Sequence, residues 1–286
     1  MNKSLKELDK YYTKSEIAKD CYFLYKKVLE SDDITDRYWI EPSAGSGRIL
    51  NEITESKIGF DISPDNNSII TNDFIKDNIW KYISDKNNRI IFGNPPFGNK
   101  GDLAVKFINK GFEYSDYVGF ILPIQFRKWS TQSKILSGAQ LILDIDLPDN
   151  SFTFDGKDYD LRSCFQIWTV GFTNHKDLRL LKSPKIKHDD FECYQYNRTE
   201  ESLKYFDYDW DIAVPRQGFN EYKLFYKKED CDKKKQWIFI KARKPEYLEI
   251  LKNIDYDQLS KKNSIIPGFG KADLVEEYTR IKNGNK

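Results

Sequence analysis

The 286-residue chain is 39% hydrophobic, 15% aromatic and 32% charged, and its net charge is +1. That length accommodates one α/β domain with a smaller appended region, and the aromatic content excludes a disordered chain. No apolar run reaches the ~20 residues that span a bilayer, and residues 1–10 lack the apolar core of a signal peptide, so we expect a cytoplasmic protein without membrane contact. The four cysteines form no CxxC pair and there are two histidines, so we expect neither disulfides nor a metal site.

The predicted elements begin with a helix and continue as an alternation of strands and helices. Thr13 and Glu16 have the spacing of a capping box, and apolar residues from Ile17 to Val28 follow on the helix. Short apolar or β-branched runs predict seven strands, at 38–40, 58–60, 68–70, 89–92, 118–122, 141–145 and 164–171. Helices are predicted between them, at 46–55, 75–84, 102–113 and 128–137. The alternation predicts an α/β fold with a doubly wound, mostly parallel seven-stranded sheet.

The composition changes after Phe172, where the chain becomes rich in Lys and Tyr and loses the strand and helix alternation. Residues 1–174 carry 22 Lys and Arg against 25 Asp and Glu, a net charge of −3, whereas residues 175–286 carry 24 against 20, a net charge of +4. We therefore predict a domain boundary at Asn174. The modest positive charge of the C-terminal part fits contact with a polyanion but does not by itself identify one.

A glycine-rich turn, Glu41-Pro42-Ser43-Ala44-Gly45-Ser46-Gly47, follows the first strand of the predicted sheet. Ligands of open α/β sheets bind at the carboxyl ends of the strands, and Gly45 and Gly47 would let the main chain approach a nucleoside closely. A dinucleotide fingerprint would need a third glycine where Leu50 stands. The turn therefore argues against NAD and fits S-adenosylmethionine, whose carboxylate the following helix N-terminus would hold.

Two acids follow the next two strands of the predicted sheet. Asp61 ends the second strand, where a carboxylate can accept hydrogen bonds from two ribose hydroxyls. Asp73 follows the third strand and, with Phe74, offers a carboxylate for an exocyclic amine and an aromatic face for a purine. Each acid alone could be a solvated helix cap, but the ordered pair favours a cofactor site. The cofactor contacts predicted in this region are Glu41, Ala44, Gly45, Gly47, Asp61, Ile62, Asp73 and Phe74.

The strand at 89–92 runs into Asn94-Pro95-Pro96-Phe97. The two prolines remove two backbone donors and fix two φ angles, which makes the loop rigid. The Asn94 amide oxygen and the Pro95 carbonyl would then be paired acceptors for an NH2 group, and Phe97 a flat surface for a base. Two prolines alone are typical of an ordinary stiff turn, but the flanking Asn and Phe indicate that these four residues form a catalytic loop, with Asn94 also beside the cofactor.

In this order the motifs resemble those of the class I amino-methyltransferases, and within them the N6-adenine DNA methyltransferases of the gamma arrangement. The resemblance implies methyl transfer from S-adenosylmethionine to the N6 amine of a flipped adenine. It also implies cofactor contacts from Tyr12 and Thr13, and an aromatic side chain from a later hairpin on the other face of the base, for which Phe165 is the candidate. Residues 1–174 would be the catalytic domain and residues 175–286 a small target-recognition or partner-binding region.

Three other functions stay open at this point. The same loop occurs in rRNA and tRNA adenine methyltransferases, a similar loop occurs in protein glutamine methyltransferases, and a non-catalytic nucleic-acid-binding subunit could keep the fold. The motif Tyr11-Tyr12-Thr13, the glycine-rich turn and the C-terminal extension favour DNA, with Arg216, Lys241 and Arg243 as predicted nucleic-acid contacts. The extension is small for a stand-alone recognition domain, so a partner subunit or a homodimer also stays open.

Overall fold

The computed structural model describes residues 11–83, 88–154, 156–262 and 266–284. The strands are β1 (Tyr12–Thr13), β2 (Tyr38–Glu41), β3 (Lys57–Asp61), β4 (Ile70–Thr71), β5 (Arg89–Gly93), β6 (Tyr117–Pro123), β7 (Gln140–Asp146), β8 (Phe152–Phe154), β9 (Lys157–Tyr159), β10 (Ser163–Thr169), β11 (Phe191–Tyr196), β12 (Ile212–Pro215) and β13 (Trp237–Ala242). The α-helices are α1 (Ser15–Ser31), α2 (Arg48–Glu52), α3 (Trp80–Ile83), α4 (Asp102–Gly111), α5 (Trp129–Gln132), α6 (Pro245–Lys252), α7 (Tyr256–Lys261) and α8 (Lys271–Lys282).

The chain divides into two compact units between Leu181 and Lys182, later than the predicted boundary at Asn174. The segment between the two positions belongs to the first unit because it folds back onto β7. The Leu178 N–H donates to the Leu141 carbonyl at 2.7 Å, and the Arg179 guanidinium donates to several backbone carbonyls, among them that of Ala139 at 2.8 Å. Composition alone does not register these backbone contacts.

A seven-stranded sheet forms the centre of the first unit, in the order β4-β3-β2-β5-β6-β10-β7. The pairings from β4 to β6 are parallel, and β10 runs antiparallel between β6 and β7. This confirms the predicted α/β fold with a doubly wound, mostly parallel sheet. Because consecutive strands at the centre are parallel, the carboxyl ends of β2, β3, β4 and β5 meet at one edge.

Two apolar clusters cover the two faces of this sheet, which is why the central strands are apolar at nearly every position. Trp39 belongs to the cluster that contains α1, and the next residue, Ile40, belongs to the cluster that contains α4. Gly119 in β6 permits the close approach of α1, because a Cβ there would overlap the Tyr25 ring. Side-chain alternation along each strand thus supplies both faces of the core.

The N-terminal segment differs from the prediction in one respect that bears on the site. Helix α1 begins after Lys14, which caps it without a side-chain hydrogen bond. Thr13 lies instead in β1, paired with Phe152 of β8 in a small antiparallel sheet with the order β1-β8-β9. The predicted capping box is therefore wrong, and the Thr13 hydroxyl is not used by the helix.

Several helices are shorter than their apolar spacing predicts. The helix predicted at 75–84 begins only at Trp80, and residue 84 lies outside the described residues. Before it, the Asp73 carboxylate accepts hydrogen bonds from the N–H groups of Ile75 and Lys76, and the Asp73 N–H donates to Asp77. Aspartate side chains compete in this way with helical hydrogen bonds and favour turns.

The second unit has a three-stranded antiparallel sheet in the order β11-β13-β12. One face packs on α6, α7 and α8 through Ile238 and Ile240, and the other face carries Trp237 and Phe239 in a smaller aromatic cluster. Successive residues of β13 thus serve opposite faces, as in any pleated strand. Across the described parts of both units, none of the helices is long and apolar enough to cross a bilayer.

Candidate active site

A cavity of about 400 Å³ opens in the first unit at the carboxyl edge of β2, β3, β4 and β5. This volume is within the range of small-molecule and cofactor sites. All of the predicted cofactor contacts except Gly47 line it. The lining predicted residues are Tyr12, Thr13, Glu41, Ala44, Gly45, Asp61, Ile62, Asp73, Phe74 and Asn94. Motifs spread over more than eighty positions of the sequence therefore converge on one cavity.

The glycine-rich turn shapes one wall of the cavity. Gly45 and Gly47 have φ angles of +52° and +84°, which other residues rarely adopt. A Cβ on Gly45 would also stand 3.4 Å from Cε1 of Tyr12. Gly47 caps α2 and does not line the cavity, so its contribution is the shape of the turn. Helix α2 has five residues, so it is shorter than predicted, and the anion site at its N-terminus stays a prediction.

Asp61 is held in a fixed orientation at the mouth of the cavity. One carboxylate oxygen accepts a hydrogen bond from the Gly45 N–H at 2.8 Å, and the other accepts one from the Ser63 N–H at 2.7 Å. Ile62 beside it is 60% exposed, an unusual position for a large apolar side chain. The pair offers a carboxylate next to an uncovered apolar surface.

Asp73 and Phe74 line the cavity, and each also has partners within the protein. The Asp73 carboxylate holds the turn described above and lies 3.2 Å from the Lys76 ammonium. The Phe74 ring is buried and stacks on Phe107 of α4 with 5.5 Å between ring centroids. Asp73 thus stabilises a turn and caps no described helix, and it also lies on the cavity wall.

The loop after β5 presents an amide whose orientation is fixed. The Asn94 Nδ2 donates to the Tyr11 carbonyl at 3.1 Å, and the Ser43 hydroxyl donates to the Asn94 backbone carbonyl at 3.1 Å. The Asn94 Oδ1 is buried and has no hydrogen-bond partner among the described residues. The loop therefore leaves one oriented acceptor unused at the cavity.

The other residues of this loop have different surroundings. Pro96 lines the cavity, whereas Pro95 is buried and is not among the lining residues. Phe97 is partly buried against both apolar clusters, and its carbonyl accepts a hydrogen bond from the Leu103 N–H at 3.2 Å. The stiff prolines are thereby anchored to the start of α4.

Buried polar atoms without partners concentrate at this cavity. Eight such side-chain atoms occur among the described residues, and five belong to residues that line it. The five are the Thr13 Oγ1, Glu41 Oε2, Ser46 Oγ, Asn72 Oδ1 and Asn94 Oδ1. A buried polar group without a partner costs about 1–3 kcal/mol, so folded proteins rarely keep one without a ligand or water to satisfy it. The cluster marks the cavity as a binding site for a polar molecule.

Two ionisable groups of the wall have shifted pKa values. Burial raises the pKa of Glu41 well above its ordinary value, and the Asp61 carboxylate adds to the shift. Burial and a hydrogen bond to Asp65 raise the pKa of Tyr12, whose hydroxyl donates to that carboxylate at 2.5 Å. The Arg48 guanidinium lies over the Tyr12 ring at 5.0 Å. Burial therefore favours the neutral form of Glu41, and a cationic partner would lower its pKa and stabilise the charged form.

Phe165 does not face the cavity, and its expected role against a base is wrong. Its side chain is fully buried in β10 and packs edge-on against Tyr25 and Phe92. Aromatic residues of the β8–β9 hairpin, which no motif indicated, pack on Tyr11. The Tyr159 ring stacks on Tyr11 at 4.8 Å between centroids and is 37% exposed.

Part of the cavity wall comes from residues that no motif indicated. Leu103, Lys106 and Phe107 of α4 contribute to it. The helical spacing of these three identifies a helix face but does not say what that face covers. Arg48 is a further lining residue without a sequence signal.

The predicted nucleic-acid contacts of the second unit are mostly committed to partners within it. Lys241 lies 3.0 Å from carboxylate oxygens of both Asp209 and Asp211, which neutralise its charge. Arg216 is half-buried, its Nη1 donates to Asn197 at 2.9 Å, and burial lowers its pKa. Both side chains therefore have partners within the unit, and their contact with nucleic acid stays a prediction. Arg243 is exposed beside Glu192, with 3.6 Å between Nη2 and Oε1.

Comparisons with known proteins identify the fold. No protein-family model matches the chain, and a search of curated proteins gives no match. The Type IIL restriction-modification enzyme MmeI in complex with DNA aligns with 92% of this chain and 67% of its own, at 7% identity and a TM-score of 0.53. A Pyrococcus horikoshii protein to which an RNA methyltransferase activity is ascribed aligns with 59% of this chain and 98% of its own, at 16% identity and a TM-score of 0.34.

A third solved structure, an S-adenosylmethionine-dependent methyltransferase from Clostridium acetobutylicum, aligns with 79% of this chain and 91% of its own, at 12% identity and a TM-score of 0.30. At such identities a likeness shows the fold alone. With the strand order described above, the chain has a Rossmann-like α/β fold that is similar to that of the restriction-modification enzyme.

Proposed function

We propose that this protein transfers a methyl group from S-adenosylmethionine to the N6 amine of adenine in DNA. The observation that carries the proposal is the Asn94 amide, which is oriented by the Tyr11 carbonyl and keeps a buried, unused acceptor at the cavity. An exocyclic NH2 group is the donor that such an acceptor fits. The fold supports a methyltransferase reaction, and the site supports an amine as its acceptor.

The cavity residues fit S-adenosylmethionine. Its wall has partnerless acceptors on Glu41 and Asn72 and partnerless hydroxyls on Thr13 and Ser46, a mixture suited to a ligand with both donor and acceptor groups. Glu41 would hold a cationic group, Asp61 would accept from ribose hydroxyls, and Ile62 would cover an apolar face. When bound, the cofactor supplies an electrophilic methyl group on a sulfonium centre.

The loop residues would activate the amine without a strong base. The adenine N6 lone pair is delocalised into the ring, so the amine is a poor nucleophile. Acceptance of its two hydrogens by the Asn94 Oδ1 and the Pro95 carbonyl would draw the nitrogen toward tetrahedral geometry and free the lone pair for attack. Rigid acceptors placed where the charge develops lower the barrier without reorganising during the step. The nitrogen gains the methyl group as the bond from sulfur to that group breaks and leaves a neutral thioether. The methylated nitrogen has become acidic and then releases its extra proton to solvent.

Aromatic surfaces would hold the flipped base. Phe97 follows the catalytic prolines, and Tyr159 of the β8–β9 hairpin replaces Phe165 as the candidate for a second surface, because its ring is exposed and stacks on Tyr11. Tyr11 is also the residue whose carbonyl orients Asn94. Stacking of about 1–3 kcal/mol per base would offset much of the cost of unstacking the target.

DNA is proposed as the substrate because the likeness to a restriction-modification enzyme bound to DNA extends over 92% of this chain, including the second unit. On this proposal the first unit is catalytic, and the second unit recognises the target or a partner subunit. Because the second unit is small for a recognition domain, we also propose that two copies of the chain could act together as a homodimer on the target.

The test is methyl transfer from radiolabelled S-adenosylmethionine to unmethylated duplex DNA, single-stranded DNA and total RNA in parallel reactions. The nucleosides are then digested and identified by mass. We expect N6-methyladenine in DNA. Label in RNA alone would replace DNA by RNA as the substrate, and cofactor binding without label in any substrate would make the protein a binding subunit.

A further inference from the structure

The second unit contains a cavity that the proposed chemistry does not use. Its volume is about 340 Å³, and it lies along β11, the edge strand of the three-stranded sheet. Its walls come from residues 186–188 and 191–194 and from positions 243 and 271. All of these belong to the second unit, so the cavity is a property of that unit alone.

The charged groups of this cavity are unbalanced. Three cationic side chains line it, from Lys187, Arg243 and Lys271, against one carboxylate, that of Glu192. That carboxylate is already engaged by the Tyr194 hydroxyl and by Arg243. Neither Lys187 nor Lys271 has an ion-pair or hydrogen-bond partner among the residues that the structure describes. An anion that entered would meet two uncompensated ammonium groups.

Several other lysines of the second unit have carboxylate partners. Lys241 lies beside two aspartates, Lys228 pairs with Asp207 at 2.8 Å, and Lys282 pairs with Asp190. Lys227 and Lys234 also lack a carboxylate partner among the described residues, so Lys187 and Lys271 are distinguished by their position on the wall of a cavity.

One wall of the cavity is a rigid aromatic surface. The His188 ring lies flat on Phe191, with 5.4 Å between centroids and 4° between planes. Its Nδ1 accepts a hydrogen bond from the Asp190 N–H at 3.1 Å, which fixes the ring. Cations beside a flat ring are the combination that binds a phosphate with its attached sugar or base.

We propose that this cavity binds phosphate groups of the nucleic-acid backbone through Lys187, Lys271 and Arg243. The identification of the polymer as nucleic acid rests on the proposed function, whereas the anion site rests on the cavity itself. Phosphate contacts of this kind position a protein on its substrate without reading the sequence. The site would therefore strengthen binding of the nucleic acid whatever the target sequence.

The test compares two double variants that remove the same charge from the same unit. Lys187→Gln/Lys271→Gln removes the cavity lysines, and Lys227→Gln/Lys234→Gln removes two exposed lysines outside it. Binding of a short fluorescent duplex is measured as a function of salt, with inorganic phosphate as competitor. We expect the cavity variant to lose roughly tenfold more affinity than its control, and its salt dependence to be shallower by about one unit per lysine that contacts a phosphate.

Equal losses in the two variants would overturn the proposal, because they would indicate diffuse attraction. The proposal would also be overturned if the cavity variant bound the duplex as tightly as the unaltered protein but bound inorganic phosphate more weakly. The site would then bind small phosphates and not the nucleic-acid backbone. Methyl transfer is assayed on the same preparations. If the cavity variant binds the duplex more weakly than its control but the unaltered protein forms no N6-methyladenine, the proposed function is refuted and the phosphate site stands. If methyl transfer occurs but the two variants lose affinity equally, the phosphate site is refuted and the proposed function stands.

Discussion

Replacing Asn94 by Ala separates catalysis from stability, because the structure gives the two effects different sizes. The change removes one hydrogen bond, from Nδ2 to the Tyr11 carbonyl, worth about 1 kcal/mol. It also removes a buried Oδ1 without a partner, whose burial costs about 1–3 kcal/mol. The free energy of unfolding of the ligand-free protein should therefore stay unchanged or rise by up to about 2 kcal/mol. Loss of a preorganised group that stabilises the transition state costs about 10²–10³-fold in rate.

Two measurements on the same variant check this expectation, namely single-turnover methyl transfer at saturating cofactor and substrate, and urea unfolding of the ligand-free protein. Ser163→Ala is the matched control, because the Ser163 Oγ is also buried without a partner but does not line the cavity. We expect the control to keep its transfer rate. Retention of transfer within tenfold in Asn94→Ala would remove Asn94 from the mechanism, and a large loss of stability would show that the buried oxygen has a partner in solution.

Three further changes probe the cavity and its surroundings. Thr13→Val keeps the shape of the side chain and removes a partnerless hydroxyl, so calorimetry should show S-adenosylmethionine binding weakened about fivefold, with no loss of ligand-free stability in urea. Burial raises the pKa of Glu41 above its ordinary value of 4.5. Between these two pKa values the folded protein keeps a proton that the unfolded chain releases. The free energy of unfolding therefore falls as the pH rises from 4.5 to the folded pKa. Glu41→Gln should remove this decline from urea titrations, and an equal decline in the variant would assign it to another group. Tyr159→Ala should lower methyl transfer about tenfold with little loss of stability in urea. Phe165→Ala should lower the free energy of unfolding by about 3–5 kcal/mol. Loss of transfer without loss of stability in Phe165→Ala, and loss of stability without loss of transfer in Tyr159→Ala, would restore Phe165 to the site.

The sheet could be predicted from the sequence because its central strands are buried on both faces. Runs such as residues 90–93 and Tyr117–Pro123 are apolar throughout, and a parallel sheet covered by helices requires this. Helix lengths were overestimated where aspartates intervene. Asp73 and Asp77 bind backbone N–H groups that a helix would have used, and apolar spacing does not reveal this competition.

The site was predictable where it follows the strand ends and not where distant elements supply it. Asp61 and Asn94 each end or follow a strand, and topology brings such positions together. Phe107 and Lys106 reach the cavity from a helix, whose position over the sheet is a tertiary fact. Phe165 was misassigned because an aromatic residue in a buried strand looks the same in sequence as one that faces a ligand.

A signal for the hairpin aromatics was nevertheless present in the sequence. The sequence Asp155-Gly156 is typical of two-residue hairpin turns, and it lies between two strands, Phe152–Phe154 and Lys157–Tyr159. Recognising it predicts a β-hairpin whose residues alternate between two faces, with Tyr159 available at its end. The turn is a local feature, so its meaning does not depend on the rest of the fold.

The partnerless atoms distinguish the cavity from the rest of the core more sharply than any motif does. Outside it, buried polar side chains such as Gln166 and Asp32 have hydrogen-bond partners, as the cost of desolvation requires. At the cavity, five atoms are left without partners in the described structure, and each lowers the stability of the ligand-free fold. A ligand that forms hydrogen bonds with several of these atoms removes their desolvation cost, and this strengthens its binding. The same groups that weaken the empty protein are therefore the groups that select the molecule it binds.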